Sequence, residues 1–433
     1  MPPNNRLPDS RLKDDCFATD RECLTHAEAL ALLKAQVAPV VDSETVPLIA
    51  AGGRVLAEEI VAPRDVPLAD NTAVDGYAFS HADYIASEGR LPVAMRIAAG
   101  HPAGTALAQG TAAQIFTGAV MPPGADTVAM QEDCRIDDGE PPIVNVPPGL
   151  KQGANRRRAG EDVAAGSALL VPGLRLRPQD VGAIASTGKA EVTVYRRLRA
   201  ALVSTGDEIV RPGNPIAPGQ VFDANHYLLS ELLAAANVAV SDLGVLADDP
   251  ILIRERLAEA AASHDILITS GGVSHGGEDH LADAVAALGS RHLWQLAIKP
   301  GRPVSFGQIG DCVAVGLPGN PVAAFVCFLN YAMPVLSAMG GAGFQTPIPY
   351  RIPAAFDFAK KPGRREFLRG ILERDADGHM VVKKFARDGS ALISSLREAD
   401  GLILLAEETT SVAAGETVEF IPFSAYGIAE RTL

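Results

Sequence analysis

The sequence predicts a multidomain α/β protein built around a mainly parallel, doubly wound sheet, and three textures along the chain predict it. After Arg199, apolar and β-branched runs alternate with helix-length segments, the pattern of βα units. From 64 to about 163 the chain offers short strand-like runs between turns, with Pro-Pro at 122–123, 141–142 and 147–148, as in a small independent β domain. After about 345, strand-like runs return and predict a small β-barrel or sheet. At 433 residues several cores are expected, and no solenoid-length repeat is present.

In chain order, residues 1–20 are polar and irregular, the texture of a mobile arm. Thr25 with Glu28 three places on has the form of a capping box and opens a helix to about Ala38. Short segments broken by Gly52-Gly53 and Pro63 follow. Strands are predicted at Val93–Ile97, Ala113–Thr117, Thr127–Glu132 and Ile143–Val146. The α/β part reads as strand Ala200–Ser204, helix near Asn225–Ala236, strand Val238–Leu246, helix Ile251–Ala262, strand Ile266–Thr269 and helix His280–Leu288. Strands near Leu293–Ile298, Val304–Phe306 and Val313–Val315 then lead to a long apolar helix, Val322 to Met339. That helix holds Asn330 and Pro334 and reads as a buried core helix in preference to a membrane span.

A formal charge of −14 argues against general nucleic-acid binding, which needs a basic face. An anionic ligand would need a local basic island, and candidates are Arg156–Arg158, Arg196-Arg197, Lys299 with Arg302, and Lys360-Lys361 with Arg364-Arg365. Five cysteines without a Cys-x-x-Cys pair fit a reducing, cytoplasmic setting and speak against a disulfide framework or structural zinc. The polar N-terminus predicts no signal peptide.

Three glycine-rich turns should share the carboxyl edge of the sheet: Ser204–Glu208, Ser270–His280 and Leu317–Pro321. Each alone could be an ordinary βα connection, where Gly and Pro are common. Together, with Lys299-Pro-Gly-Arg302 nearby, they predict backbone N–H groups and a helix N-terminus aimed at an anion. Acidic residues in two of these turns, Asp207, Glu208, Glu278 and Asp279, with Asp248 and Asp249 in a further turn, would repel that anion unless a divalent cation lay between. Phosphate with Mg²⁺ is the resulting expectation, although Asp248-Asp249-Pro250 also has the form of a helix N-cap. Neither G-x-G-x-x-G nor G-x-x-x-x-G-K-[ST] opens this region, which disfavours a dinucleotide dehydrogenase or a Walker-type NTPase.

The β-rich region adds Ala73-Val-Asp-Gly-Tyr-Ala78, Ile115-Phe-Thr-Gly118, Pro123-Gly-Ala-Asp126, Met130-Gln-Glu132, and Asn155-x-Arg157 with Gly160-Glu-Asp162. With Ser204-Thr-Gly-Asp-Glu208, Ser270-Gly-Gly-Val-Ser274, Ile298-Lys-Pro-Gly-Arg-Pro303 and Gly316-Leu-Pro-Gly-Asn-Pro321, this ordered set closely resembles the MoeA and gephyrin E-domain family. The resemblance runs from about residue 24 to 425 and implies a homodimer of four-domain subunits. It implies an elongated domain from two segments, 21–63 and 164–196, and an inserted β-rich domain, 64–163. A MogA-like α/β domain at 197–345 and a C-terminal β-barrel domain at 346–433 complete the expectation. The active site would lie between the α/β domain of one subunit and the inserted domain of the other.

The reaction implied is insertion of molybdenum from molybdate into adenylylated molybdopterin with release of AMP, assisted by Mg²⁺. Positions matching the family's catalytic set are Asp75, Thr117, Asp162, Glu208 and Asp279, and Glu208, Asp248 and Asp279 match its metal and phosphate handling. Implied binding positions are Ser270, Gly271, Gly272, Ser274, Pro318, Gly319, Asn320 and Pro321, with Lys299 and Arg302 toward molybdate. Arg364, Arg369 and Ser395 resemble the barrel's contribution to that oxyanion site. One departure is Ser274-His-Gly-Gly-Glu278-Asp279, where the first acid moves one place and His275 replaces an apolar residue. The alternatives are a molybdopterin adenylyltransferase, against which the inserted domain and barrel argue, and a dimeric scaffold. A partner enzyme supplying the adenylylated substrate is also implied.

Overall fold

The computed structural model describes residues 23–271 and 280–431. Its largest sheet has seven strands in the order Cys23–Leu24, Ser290–Leu296, Pro303–Ile309, Cys312–Leu317, Ile266–Ser270, Arg199–Thr205, Ala239–Leu246. The last four are mutually parallel. Pro303–Ile309 runs against both neighbours, because Ile309 pairs with Cys312 across a tight Gly310-Asp311 turn with Gly310 at φ +58°. The expected mainly parallel sheet therefore carries one reversed strand.

Alternate residues of the central strands feed two cores. Ala200, Leu202, Ile268 and Val315 face the helices Ala224–Ala235 and Pro321–Cys327. Ala201, Val203, Leu267 and Ala314 face Pro250–Ser263 and His280–Leu288. Burial on both faces is why these strands read as unbroken apolar runs in place of an alternation. The long apolar helix is Pro321–Cys327, one π turn at Phe328–Ala332, and Met333–Met339. Pro334 has no N–H to give the preceding turn, and the wider turn just ahead of it absorbs the mismatch. The span is long and apolar enough to cross a membrane, but it is 89 % buried within the protein and serves as its core helix.

The capping box forms as expected: Thr25 accepts from the Glu28 N–H, Glu28 bonds back to the Thr25 N–H, and the helix runs His26–Gln36. This segment packs on the α/β unit, although the sequence grouping places it with the two-segment unit. Leu24 extends the large sheet beside Leu296, and Ala29 and Leu33 sink into the α/β core. The two segments meet further on. Ser43–Pro47 pairs with Glu191–Tyr195 and Ile60–Val61 with Ala168–Leu170, around Val46, Leu56, Ile60, Leu176, Ile184 and Val194.

Between them lies a six-stranded sheet, Thr127–Met130, Gly76–Phe79, Ala112–Ile115, Arg90–Ile97, Ile143–Asn145, Arg135–Asp137. At the C-terminal end, Met380–Lys384, Arg365–Arg374, Gly401–Leu405, Thr417–Pro422 and Tyr350–Pro353 pair in that order. A bridge from Ala354 back to Val382 brings the two edges together into a small barrel around Val382, Ile403 and Phe420. Ile298–Lys299 pairs with Arg365–Arg374 and joins this barrel to the α/β unit.

Candidate functional site

Strand register gathers the suspected turns. Ser204 pairs with Ser270, Ser270 with Leu317, and Thr205 with Leu246, so the loops that follow all leave from one edge. The Gly271 N–H donates to the Leu317 carbonyl at 2.8 Å, and Asn225 Nδ2 donates to the Gly319 carbonyl at 2.7 Å. Pro318, Gly319 and Asn320 are thereby tied to the start of the Ala224–Ala235 helix, while Pro321 opens the core helix. Asp223 Oδ2 is ion-paired with Arg211 Nη1 at 3.5 Å, whereas Ser204 Oγ and Asn225 Oδ1 are buried here with no hydrogen-bond partner among the described residues. Unpaired buried oxygens are costly, and their grouping at a strand edge fits a polar ligand.

Glu208 and Asp248 lie exposed just past the ends of neighbouring strands, Arg199–Thr205 and Ala239–Leu246. Asp249 is the helix cap, accepting from the Ile251 and Leu252 N–H groups ahead of Pro250–Ser263, which leaves Asp248 as the candidate ligand. Two exposed carboxylates on adjacent strand ends are hard oxygen donors of the kind Mg²⁺ takes. Gly272, Ser274 and Asp279, with His275 and Glu278, lie outside the described residues.

A cavity of about 630 Å³ opens between this edge and the barrel. It is lined by Lys299, Gly301, Arg302, Pro318, Gly319, Asn320, Glu366, Arg369 and Asp388, among others. Gly301 is required in its wall: φ is +94°, and a Cβ there would stand 2.4 Å from the Cys327 sulfur. Lys299 faces Glu366 in strand register, with Nζ 3.3 Å from a carboxylate oxygen. Arg369 is only 5 % exposed, its Nε donates to Ser395 Oγ at 3.1 Å, and burial pulls its pKa down from the usual arginine value. Ser395 is fully buried and donates onward to the Leu392 carbonyl at 2.6 Å, so it braces Arg369 from behind the cavity wall. Arg364 is exposed and is not among the residues lining this cavity.

The other basic islands have structural partners. Arg196 makes two bonds of 2.7 Å to Asp265, and Lys360 Nζ is spent on the Thr409 and Glu407 carbonyls. Sequence reading missed Glu366, Asp388 and Asn225. Nothing in the sequence pairs Lys299 with Glu366, because only the register between two distant strands does so.

In the β-rich unit, Gly76 pairs with Ile115, which sets Asp75 beside Thr117. The Thr117 N–H and hydroxyl both donate to Asp75 Oδ1, at 2.7 and 2.6 Å. Those bonds, the hydroxyl's foremost, hold the Asp75 carboxyl below its ordinary pKa and keep it charged. Asp162 is exposed, its N–H on the Val66 carbonyl at 3.0 Å. Among the described residues no hydrogen bond or ion pair joins this group to the α/β edge within the one chain.

Fold and site together define a class: a multidomain α/β protein with a cationic cavity between the carboxyl edge of its sheet and a C-terminal barrel. Three family models match in succession: "MoeA N-terminal region (domain I and II)" over 24–188, "Probable molybdopterin binding domain" over 201–338, and "MoeA C-terminal region (domain IV)" over 351–423. A molybdopterin molybdenumtransferase of Haemophilus influenzae is 36 % identical over 403 residues, covering 93 % of this chain and 99 % of the relative. One from Nostoc is 34 % identical over 387 residues, covering 87 % and 88 %. A crystal structure of the molybdopterin biosynthesis MoeA protein from Pyrococcus horikoshii superposes with a TM-score of 0.77 at 30 % identity, covering 92 % of this chain and 99 % of that one. The chain belongs to the MoeA family.

Proposed function

We propose that this chain inserts molybdenum from molybdate into adenylylated molybdopterin and releases AMP. The observation that carries the reading is the cavity in which Lys299, Arg302 and Arg369 converge beside the Pro318–Pro321 turn. Guanidinium groups present paired donors that suit a tetrahedral oxyanion, and the lysine adds a point charge. The naming of full-length relatives as molybdopterin molybdenumtransferases supports the same reading. Lys299 and Arg302 hold the oxyanion, while the Gly319 turn and Ser270-Gly271 border the pterin and its phosphates. Glu208 and Asp248, with Asp279 as the third expected ligand, hold Mg²⁺. Bound there, the ion neutralises charge on the adenylyl phosphate.

Asp75 and Thr117 of one protomer, with Asp162, complete the α/β edge of its partner in a homodimer. Asp75, kept ionised by Thr117, can accept a proton or order water there. The test uses purified protein with molybdate, Mg²⁺ and adenylylated molybdopterin: AMP release together with active cofactor is expected. No AMP under any dication ends the proposal. ATP consumption with metal-free molybdopterin would mark an adenylyltransferase instead. Full activity of Asp279→Asn, or of Asp248→Asn, would remove that residue from the metal set.

A further inference from the structure

We infer that Glu366 is the cavity's resident counter-anion: it occupies Lys299 until a tetrahedral oxyanion takes that ammonium, and it thereby holds oxyanion affinity down. The inference rests on the proposed reading of this cavity as the oxyanion site. Glu366 is 5 % exposed, sits on a strand in the barrel wall, and lines the cavity. Its two oxygens lie 3.3 and 3.4 Å from Lys299 Nζ. Charge-assisted bonds of this kind usually close to about 2.7–2.9 Å, so the lysine is loosely and evenly shared. No other hydrogen bond to the Glu366 side chain occurs among the described residues.

The two partners differ in freedom. Strand pairing holds the Glu366 backbone on both sides, and its side chain is only 7 % exposed, packed into the barrel wall. Lys299 has a half-exposed side chain on a flexible four-carbon stem and can swing. The cavity's second acid, Asp388, is held differently: Lys384, which does not line the cavity, bonds it at 2.8 Å. Arg302 is exposed and pairs with no acid among the described residues. An arriving dianion therefore meets Arg302 and Arg369 at once, but gains Lys299 only by drawing it off Glu366. It then shares the cavity with a carboxylate buried in the barrel wall.

Weak holding suits a metal oxyanion that must be handed on. Tight ground-state binding would lower KM without speeding transfer, so a built-in competitor keeps the bound state from becoming a trap. Glu366 on this account sets affinity and release, and Lys299 makes the contact.

The test is calorimetric titration of molybdate, with sulfate as a second tetrahedral dianion, into wild-type protein and Glu366→Gln. Thermal melts confirm that both are folded, and Glu366→Leu serves as a second variant. A like charge within a few ångströms is worth about one unit or more in a neighbouring ionisation, so Kd for molybdate should fall about tenfold in Glu366→Gln. In turnover, KM for molybdate should fall while kcat stays level or drops, a split that loss of a merely structural bond would not give. Unchanged or weaker binding in a folded Glu366→Gln overturns the inference and leaves the oxyanion site standing. Failure of wild type itself to bind either dianion at millimolar concentration overturns both.

Discussion

Ser395→Ala asks whether the serine is itself part of the proposed oxyanion site or only braces Arg369. Ser395 is fully buried, accepts from Arg369 Nε at 3.1 Å and is anchored by its own bond to Leu392. The other bond recorded for the guanidinium, Nη2 to the Gly389 carbonyl, is long at 3.4 Å. Removing Ser395 Oγ leaves a buried, charged N–H without its acceptor, which costs about 1–3 kcal/mol. If that cost falls on the geometry that receives the anion, molybdate affinity drops about 5- to 150-fold, since about 1.4 kcal/mol is tenfold. Calorimetry on Ser395→Ala, Arg369→Ala and the double variant forms a cycle. A residue acting only through Arg369 makes the double variant bind like Arg369→Ala alone, with coupling equal to the whole Ser395 effect. Additive losses would refute this and make Ser395 an independent ligand.

Two further perturbations test the frame around the site. His26 is buried, its Nδ1 2.9 Å from the Tyr331 hydroxyl, and burial lowers its pKa to about 4, with Arg365 adding to the effect. Because the unfolded chain binds that proton near the ordinary histidine value, this contribution to stability is complete above about pH 6.5 and is lost as pH falls toward 4, on the order of 3 kcal/mol in all. Urea midpoints measured across that range should slope less in His26→Gln, and an unchanged slope would count against a neutral buried imidazole. Gly301→Ala places a methyl 2.4 Å from the Cys327 sulfur at φ +94° and should cost about 2–4 kcal/mol by denaturant titration. Adding Cys327→Ala should return the steric part, and no recovery would show that backbone strain alone is responsible.

Much of the α/β unit was legible because its signals are local. The His280–Leu288 helix, the Thr25–Glu28 capping box and the strand at Ile266 each follow from adjacent residues. The three turns could be placed on one edge because parallel strands put every βα loop on the same side. Less legible was whatever depends on register between distant segments. Nothing within the residues of Pro303–Ile309 marks its reversed direction, which is set by the tight Gly310-Asp311 turn into Cys312. The His26–Gln36 helix carries no strong apolar face in its sequence, and its place on the α/β core is set by the pairing of Cys23–Leu24 with Ser290–Leu296 and by the burial of Ala29 and Leu33. Lys299 could be singled out by its Pro-Gly context, whereas Glu366 resembles any acid in a strand. Ser395 could be suspected but not given its bracing position, because burial at 0 % is a property of the barrel and not of its own neighbours.

The two-residue strand Ile298–Lys299 has a consequence for dissecting the molecule. It joins the barrel to the α/β unit beside a shared apolar core that includes Phe325, Phe367 and Phe423, and the cavity walls come from both units. A fragment cut before the barrel would keep Lys299 and Arg302 yet lose Arg369 and the carboxylate that restrains the lysine. Such a fragment would keep the Pro318–Asn320 turn but only half of the cationic lining of the proposed oxyanion cavity.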